Sequence, residues 1–205
     1  MSLIRKRKQI VAWLDKNLIS NYTIIKDKQY GHIVNVDGNV SLSYKKLKKI
    51  PFKFNKINGN FDCSNNSLIC LQGAPDIING SFYCSYNHLQ NLEYAPSYVE
   101  KAFYCNHNNI ENISLNNNEI GHTFIANNNK IKCLNLDNLP RFLPETVVDS
   151  IKIDFSHNLL DSQYNVTNYE KLIIALEKDK LNSLFNQVEE KNVISFILIE
   201  KSFKI

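Results

Sequence analysis

The sequence predicts an α/β solenoid, a coil of stacked turns with a parallel sheet along one wall and helical segments at both ends. Three observations predict it. Phe61, Phe82, Phe103 and Phe124 stand twenty-one residues apart. Each is followed at constant offsets by a small residue (Cys63, Cys84, Cys105, Ala126), an asparagine (Asn66, Asn87, Asn108, Asn129) and two aliphatics. Apolar residues at helical spacing lie on either side of this block. Self-similarity at a fixed period of about 20 to 50 residues marks a repeat architecture, in which each unit buries its apolar face only against its neighbours.

Residues 1–37 read as an N-terminal cap. Leu3, Ile4, Ile10, Val11, Leu14 and Leu18 share one stripe, which predicts an amphipathic helix over 3–18 covering the first repeat. The rival reading of that stripe is a helix lying on a membrane surface. The basic run Arg5-Lys6-Arg7-Lys8 ahead of Ile10–Leu14 imitates a secretion signal, but Asp15 and Lys16 cut the apolar run and no small-residue cleavage site follows. Tyr22–Ile25 and His32–Val36 alternate as two short strands, with Asp37-Gly38 as a hairpin-like turn.

Residues 38–163 carry the repeats. Phe61 and Cys63 are two apart, so in a strand both point to one face, which must be the core. Asp62 then points outward, as do Tyr83, Tyr104 and Ile125. Asn66 and its equivalents fall where the chain leaves the strand. A buried bend needs a side chain that both donates to and accepts from backbone groups, and asparagine does both. Subtracting twenty-one places Val40, Leu42, Leu47 and Ile50 in an earlier unit, with Lys45 where the asparagine stands elsewhere. Ile153 to Leu160 repeats the pattern at a displacement of twenty-nine, which implies an eight-residue insertion near 135–150. About six units result. The aliphatics Ile57, Ile78, Val99 and Ile120 lie four residues ahead of each strand; a one-residue bulge or turn at Gly59 and Gly80, where positive φ is tolerated, would absorb the offset. Gly73-Ala74-Pro75 and Tyr94-Ala95-Pro96 favour an extended return path over a long helix.

The spacing Phe61, Cys63, Asn66, Leu68 resembles the L-x-L-x-x-N-x-L core of leucine-rich repeats. Units reading G-x-F-x-C-S-x-N-x-L-x-x-L-x-G-A-P-x-x-I resemble the short repeats of large DNA phage proteins and, less closely, of secreted bacterial effectors. The resemblance covers residues 38–160. It implies a parallel sheet on a concave face and a binding protein rather than an enzyme, and the phage likeness implies an accessory factor acting on a host protein.

Residues 164–205 read as a mainly helical C-terminal cap. Leu172, Ile173, Leu176, Leu181, Leu184, Phe185 and Val188 mark one apolar side, with Asn168 as N-cap. Val193–Ile199 and Phe203 fit either a second helix or a closing strand. No window reaches the eighteen or so apolar residues of a membrane-spanning helix, so no membrane partner is expected.

Motifs for chemistry are lacking. There is no phosphate-binding glycine loop, paired-histidine motif or nucleophile context, so neither catalysis, cofactor nor metal is expected. Five cysteines make an odd count. Three of them take inward strand positions as small hydrophobes, which fits a reducing, cytoplasmic setting, the host cytoplasm if the protein is viral.

The outward positions supply the candidate site. The central row is Ser41, Asp62, Tyr83, Tyr104, Ile125 and Asp154; beside it run Tyr44, Asn65, Tyr86, His107, Asn128 and His157. Tyrosine combines large contact area with a polar tip and is enriched at interface hot spots. Tyr44, Asp62, Tyr83, Tyr86, Tyr104, His107, Ile125 and Asn128 are therefore the expected partner-binding residues, although Tyr83 and Tyr104 could equally stack on each other. Charge adds a second expectation. Up to Lys56 there are thirteen Lys and Arg against three Asp and Glu, and thereafter eleven against seventeen, so the chain splits into parts near +10 and −6. The basic third would suit nucleic acid through Arg5, Lys6, Arg7 and Lys8, or it is simply a solvated face. Three function classes stand: a protein-binding scaffold, a structural part of a viral particle, and a nucleic-acid-associated protein.

Overall fold

The computed structural model describes residues 3–144, 150–160, 172 and 174. The chain is a β-solenoid whose turns repeat every 21 residues. It opens with helix α1 (Arg7–Lys16), the hairpin strands β1 (Tyr22–Asp27) and β2 (Gly31–Val36), and strand β3 (Val40–Ser41). Each turn then contributes two strands: β4 (Lys53–Ile57) and β5 (Phe61–Asp62), β6 (Ile77–Ile78) and β7 (Phe82–Tyr83), β8 (Tyr98–Val99) and β9 (Ala102–Tyr104), β10 (Glu119–Ile120) and β11 (Thr123–Ile125), β12 (Arg141–Phe142) and β13 (Lys152–Asp154).

These strands form two parallel sheets, against the single sheet that the repeat pattern predicts. The expected sheet is present, six strands in the order β13-β11-β9-β7-β5-β3, with Phe61, Phe82, Phe103 and Phe124 in register. Ile57, Ile78, Val99 and Ile120 are not absorbed by a bulge. They pair with one another in a seven-stranded sheet, β1-β2-β4-β6-β8-β10-β12, parallel except for the antiparallel β1–β2 hairpin. A corner of three residues, such as Asn58-Gly59-Asn60, joins the sheets. Gly59 and Gly80 do not adopt positive φ there. Their hydrogens are required by closeness instead, because a Cβ on Gly80 would stand 2.5 Å from the Gly59 carbonyl oxygen of the turn beneath. Asp37-Gly38 is likewise a corner between β2 and β3; the hairpin closes at residues 28–30.

The core is filled by rows of identical position. The four phenylalanines are fully buried, and their rings follow one another at centroid distances of 6.0, 4.9 and 5.6 Å. The row continues at one end through Phe54 and Phe52 to Trp13 of α1, and at the other to Phe155. Cys63, Cys84 and Cys105 are buried free thiols.

Asparagines hold the bends. Asn87 Nδ2 donates to the carbonyls of Cys63, Cys84 and Ser85, and its Oδ1 accepts the Leu68 N–H. Asn66, Asn108, Asn129 and Asn158 repeat the arrangement, so each clamps its own turn to the preceding one. The first turn carries exposed Lys45 at that place, where no earlier strand of this sheet exists to be clamped.

The ends differ from expectation in detail. The N-terminal helix spans Arg7–Lys16, shorter than 3–18. Ile10 and Leu14 are fully buried in the core, but Leu18 is 92% exposed. It lies past the helix end with φ 57°, where the Ile19 N–H bonds back to the Leu14 carbonyl and turns the chain aside. In the insertion, Ile120 pairs with Phe142 and Phe124 with Ile153. One extra residue therefore precedes β12 and seven lie between β12 and β13, in the region near 135–150 that the sequence points to. Of the expected C-terminal cap, only Leu172, helical and buried, and Ile174, helical and exposed, are among the described residues. The rest of 164–205 lies outside them.

Candidate functional site

The outward face of the six-stranded sheet brings the predicted central row together. Register places Ser41, Asp62, Tyr83, Tyr104, Ile125 and Asp154 side by side on six strands. Two-residue strands suffice because the inward Phe and the asparagine bend fix both ends of each. Asp62, Tyr83, Tyr104, Ile125 and Asp154 are half-buried. The Tyr83 and Tyr104 rings lie parallel, 5.0 Å apart with planes 2° from coincidence. In that stack each ring covers one face of the other. Burial and the neighbouring Tyr83 hold the Tyr104 hydroxyl above its ordinary pKa.

The two carboxylates of the row are anchored. Asp62 Oδ1 accepts from Ser64 N–H at 2.9 Å and from Ser64 Oγ at 2.6 Å. Asp154 Oδ1 accepts the Ser156 N–H, and its Oδ2 accepts from Asn127 Nδ2. They bracket the aromatic and aliphatic centre with fixed negative charge.

The second predicted row lies on the bend beside the sheet rather than on the strands. Tyr44, Asn65, Tyr86, His107, Asn128 and His157 all have φ between 53° and 56°. This left-handed backbone carries their side chains outward while the next residue, the clamp asparagine, turns inward. Asn65, His107, Asn128 and His157 belong to types enriched in that conformation, a signal that the sequence reading passed over. Tyr86 and His107 stack at 4.2 Å with planes 16° apart, and Tyr44 stands 77% exposed on its own. His107 and His157 are separated by the Asn128 turn, each held by its own neighbour: Nδ1 of His107 to Asn106, Nδ1 of His157 to Ser156.

The basic residues collect at the first turn. Arg5, Lys6, Arg7 and Lys8 are exposed, and the Ile4 N–H bonds to the Pro51 carbonyl at 2.7 Å. That bond brings the run to the end of the coil that also carries Lys45, Lys46 and Lys48. Arg5 donates to the Gln29 carbonyl. Lys53 differs from these: it is buried, and its ammonium donates to the Ala74 carbonyl and to Asp76.

Among the described residues no group of three or more His, Cys, Asp and Glu could hold a metal ion, and no helix is long and apolar enough to cross a membrane. Burial pushes the thiols of Cys63, Cys84 and Cys105 upward, so they stay protonated and inward, poor nucleophiles. The face offers contact, hydrogen bonding and charge. No protein-family model, curated protein or solved structure matches the chain.

Proposed function

We propose that this β-solenoid is a non-enzymatic scaffold of the leucine-rich-repeat type, which docks another protein on the outward face of its six-stranded sheet. The observation that carries the reading is the half-buried Tyr83–Tyr104 stack set between anchored carboxylates. A pre-stacked pair loses little side-chain freedom on binding, and its edges and hydroxyls suit apolar contact with hydrogen bonding at the rim. Asp62 and Asp154 are four strand spacings apart, about 19 Å at 4.8 Å each. The partner that fits presents an apolar patch with cationic groups on both sides of it. Tyr86, His107 and Asn128 extend the contact along the bend. The likeness to short phage repeats suggests an accessory protein that binds and modulates a host protein in the cytoplasm.

The test is capture of a partner by the full chain, compared with Tyr83→Ser plus Tyr104→Ser and with Asp62→Asn. A host protein bound by the wild type and lost with both variants supports this reading. Capture unaffected by either variant overturns it.

A further inference from the structure

The basic end of the coil has no part in the docking face just described. We infer that it is a second binding surface, for single-stranded nucleic acid, built from the Arg5–Lys8 run, Lys45, Lys46, Lys48 and the Tyr44 ring. Three observations converge on it.

First, the fold sets two basic segments some forty residues apart in sequence on the same end of the coil, since the Ile4 N–H bonds to the Pro51 carbonyl and the Trp13 ring meets Phe52 edge-on at 5.3 Å. Among the described residues no carboxylate pairs with Arg5, Lys6, Arg7, Lys8, Lys45, Lys46 or Lys48; the ion pairs Lys53–Asp76 and Lys132–Glu111 lie elsewhere.

Second, the placement of these charges is unfavourable for the fold. Helix α1 has no acidic residue in its first turn and begins with Arg7 and Lys8, where the helix dipole disfavours cations. Lys46 holds a left-handed backbone, φ 56°, that its counterparts in later turns do not share. A polyanion lying across this end relieves the mutual repulsion.

Third, Tyr44 is the most exposed aromatic residue in the outward rows, flanked directly by Lys45 and Lys46. An exposed ring followed in sequence by two exposed lysines is a pairing that suits single strands, with a base on the ring and phosphates on the lysines. A membrane is the poorer fit, because Ile10 and Leu14 of α1 are buried and the helix turns no apolar stripe outward.

The test uses the full chain and a labelled oligothymidylate of about 20 nucleotides, with affinity followed by anisotropy from about 50 to 200 mM salt. Variants keep the bend: Tyr44→Asn takes the residue that Asn65 and Asn128 show at this place, and Lys46→Asn suits left-handed φ. Lys45→Gln, Lys46→Asn and Lys48→Gln together are expected to weaken binding and flatten the log–log salt slope by about 2, from three phosphates at about 0.7 each. Tyr44→Asn is expected to weaken binding roughly 5-fold or more with the slope unchanged. Tyr83→Ser plus Tyr104→Ser leaves oligonucleotide binding intact, so this surface and the docking face fail or stand separately. No binding at the lowest salt, or a triple variant with wild-type slope, overturns the proposal. So does Tyr44→Asn binding as the wild type does, or retention on phosphatidylserine vesicles by a chain that ignores the oligonucleotide.

Discussion

Tyr83 and Tyr104 stack with ring planes 2° apart and centroids 5.0 Å apart, on neighbouring strands of one parallel sheet. Parallel in-register pairing repeats at about 4.8 Å, close to this separation, so the sheet itself imposes the stack. A double-mutant cycle with Tyr83→Thr and Tyr104→Thr, followed by urea unfolding, is expected to give a coupling of about 0.5 to 1.5 kcal/mol. Additive single-mutant losses would show that the rings merely sit near each other.

Asn108 is buried and holds the carbonyls of Cys84 and Cys105 and the Leu89 N–H. Asn108→Ala leaves the Leu89 N–H without an acceptor, while the Cys84 and Cys105 carbonyls lose one donor each and keep Asn87 and Asn129, at about 1 to 3 kcal/mol for the orphaned N–H. The urea midpoint is expected to fall by an amount worth about 1 to 3 kcal/mol. Lys45→Asn at the first turn, with no carbonyl beneath it to clamp, is expected to change stability by less than about 1 kcal/mol. Equal and small effects at both positions would remove the clamp from the account of stability.

Gly80→Ala tests the corner. The added Cβ meets the Gly59 carbonyl oxygen at 2.5 Å, so the two turns must part. A loss of about 1 to 3 kcal/mol in chemical denaturation is expected. A variant as stable as the wild type would mean that the corner yields freely.

The buried thiols set an alkaline limit. Burial raises Cys63, with the Asp62 carboxylate adding to it; burial also raises Cys105, and raises Cys84 together with its thiol neighbours. Between the unfolded thiol value, near pH 8.5, and the higher folded values, the native chain holds protons that the unfolded chain has lost. Stability is therefore full below about pH 8.5 and declines as pH rises beyond it. Replacing all three by alanine, which Ala126 already shows to fit this row, is expected to remove most of the decline in the urea midpoint between about pH 8 and 10. A decline that persists unchanged in the triple variant contradicts this assignment.

The parts of the fold legible in the sequence are those that recur with side chains of distinctive chemistry. Phe61 and its successors, the inward cysteines and the clamp asparagines each repeat one residue type at one place, because every turn presents the same surroundings to it. The second sheet is harder to see. Its later strands are two residues long, and each offers a single inward aliphatic, Ile78 or Val99, which a bend would accommodate as readily as a strand. The row Tyr44 to His157 is legible as a row beside the strands, but its left-handed backbone is not, since handedness at a non-glycine residue leaves only a weak trace in residue choice. The placing of residues 5–8 on the same end of the coil as 45–48 depends on long-range contacts, Ile4 to Pro51 and Trp13 to Phe52, that no periodicity announces.

The clamps have a direction. Asn87 reaches back to Cys63 and Leu68, Asn108 to Cys84 and Leu89, and none reaches forward to a later turn. Each turn thus draws on its successor for one acceptor, the Oδ1 that takes its buried Leu68, Leu89 or Ile110 N–H, while its own asparagine also holds its carbonyl. Loss of a turn therefore leaves the N–H of the turn before it without an acceptor, whereas loss of the first turn leaves every remaining bend N–H with its own. Among the described turns the coil is thus polar, each bend finished by the turn that comes after it.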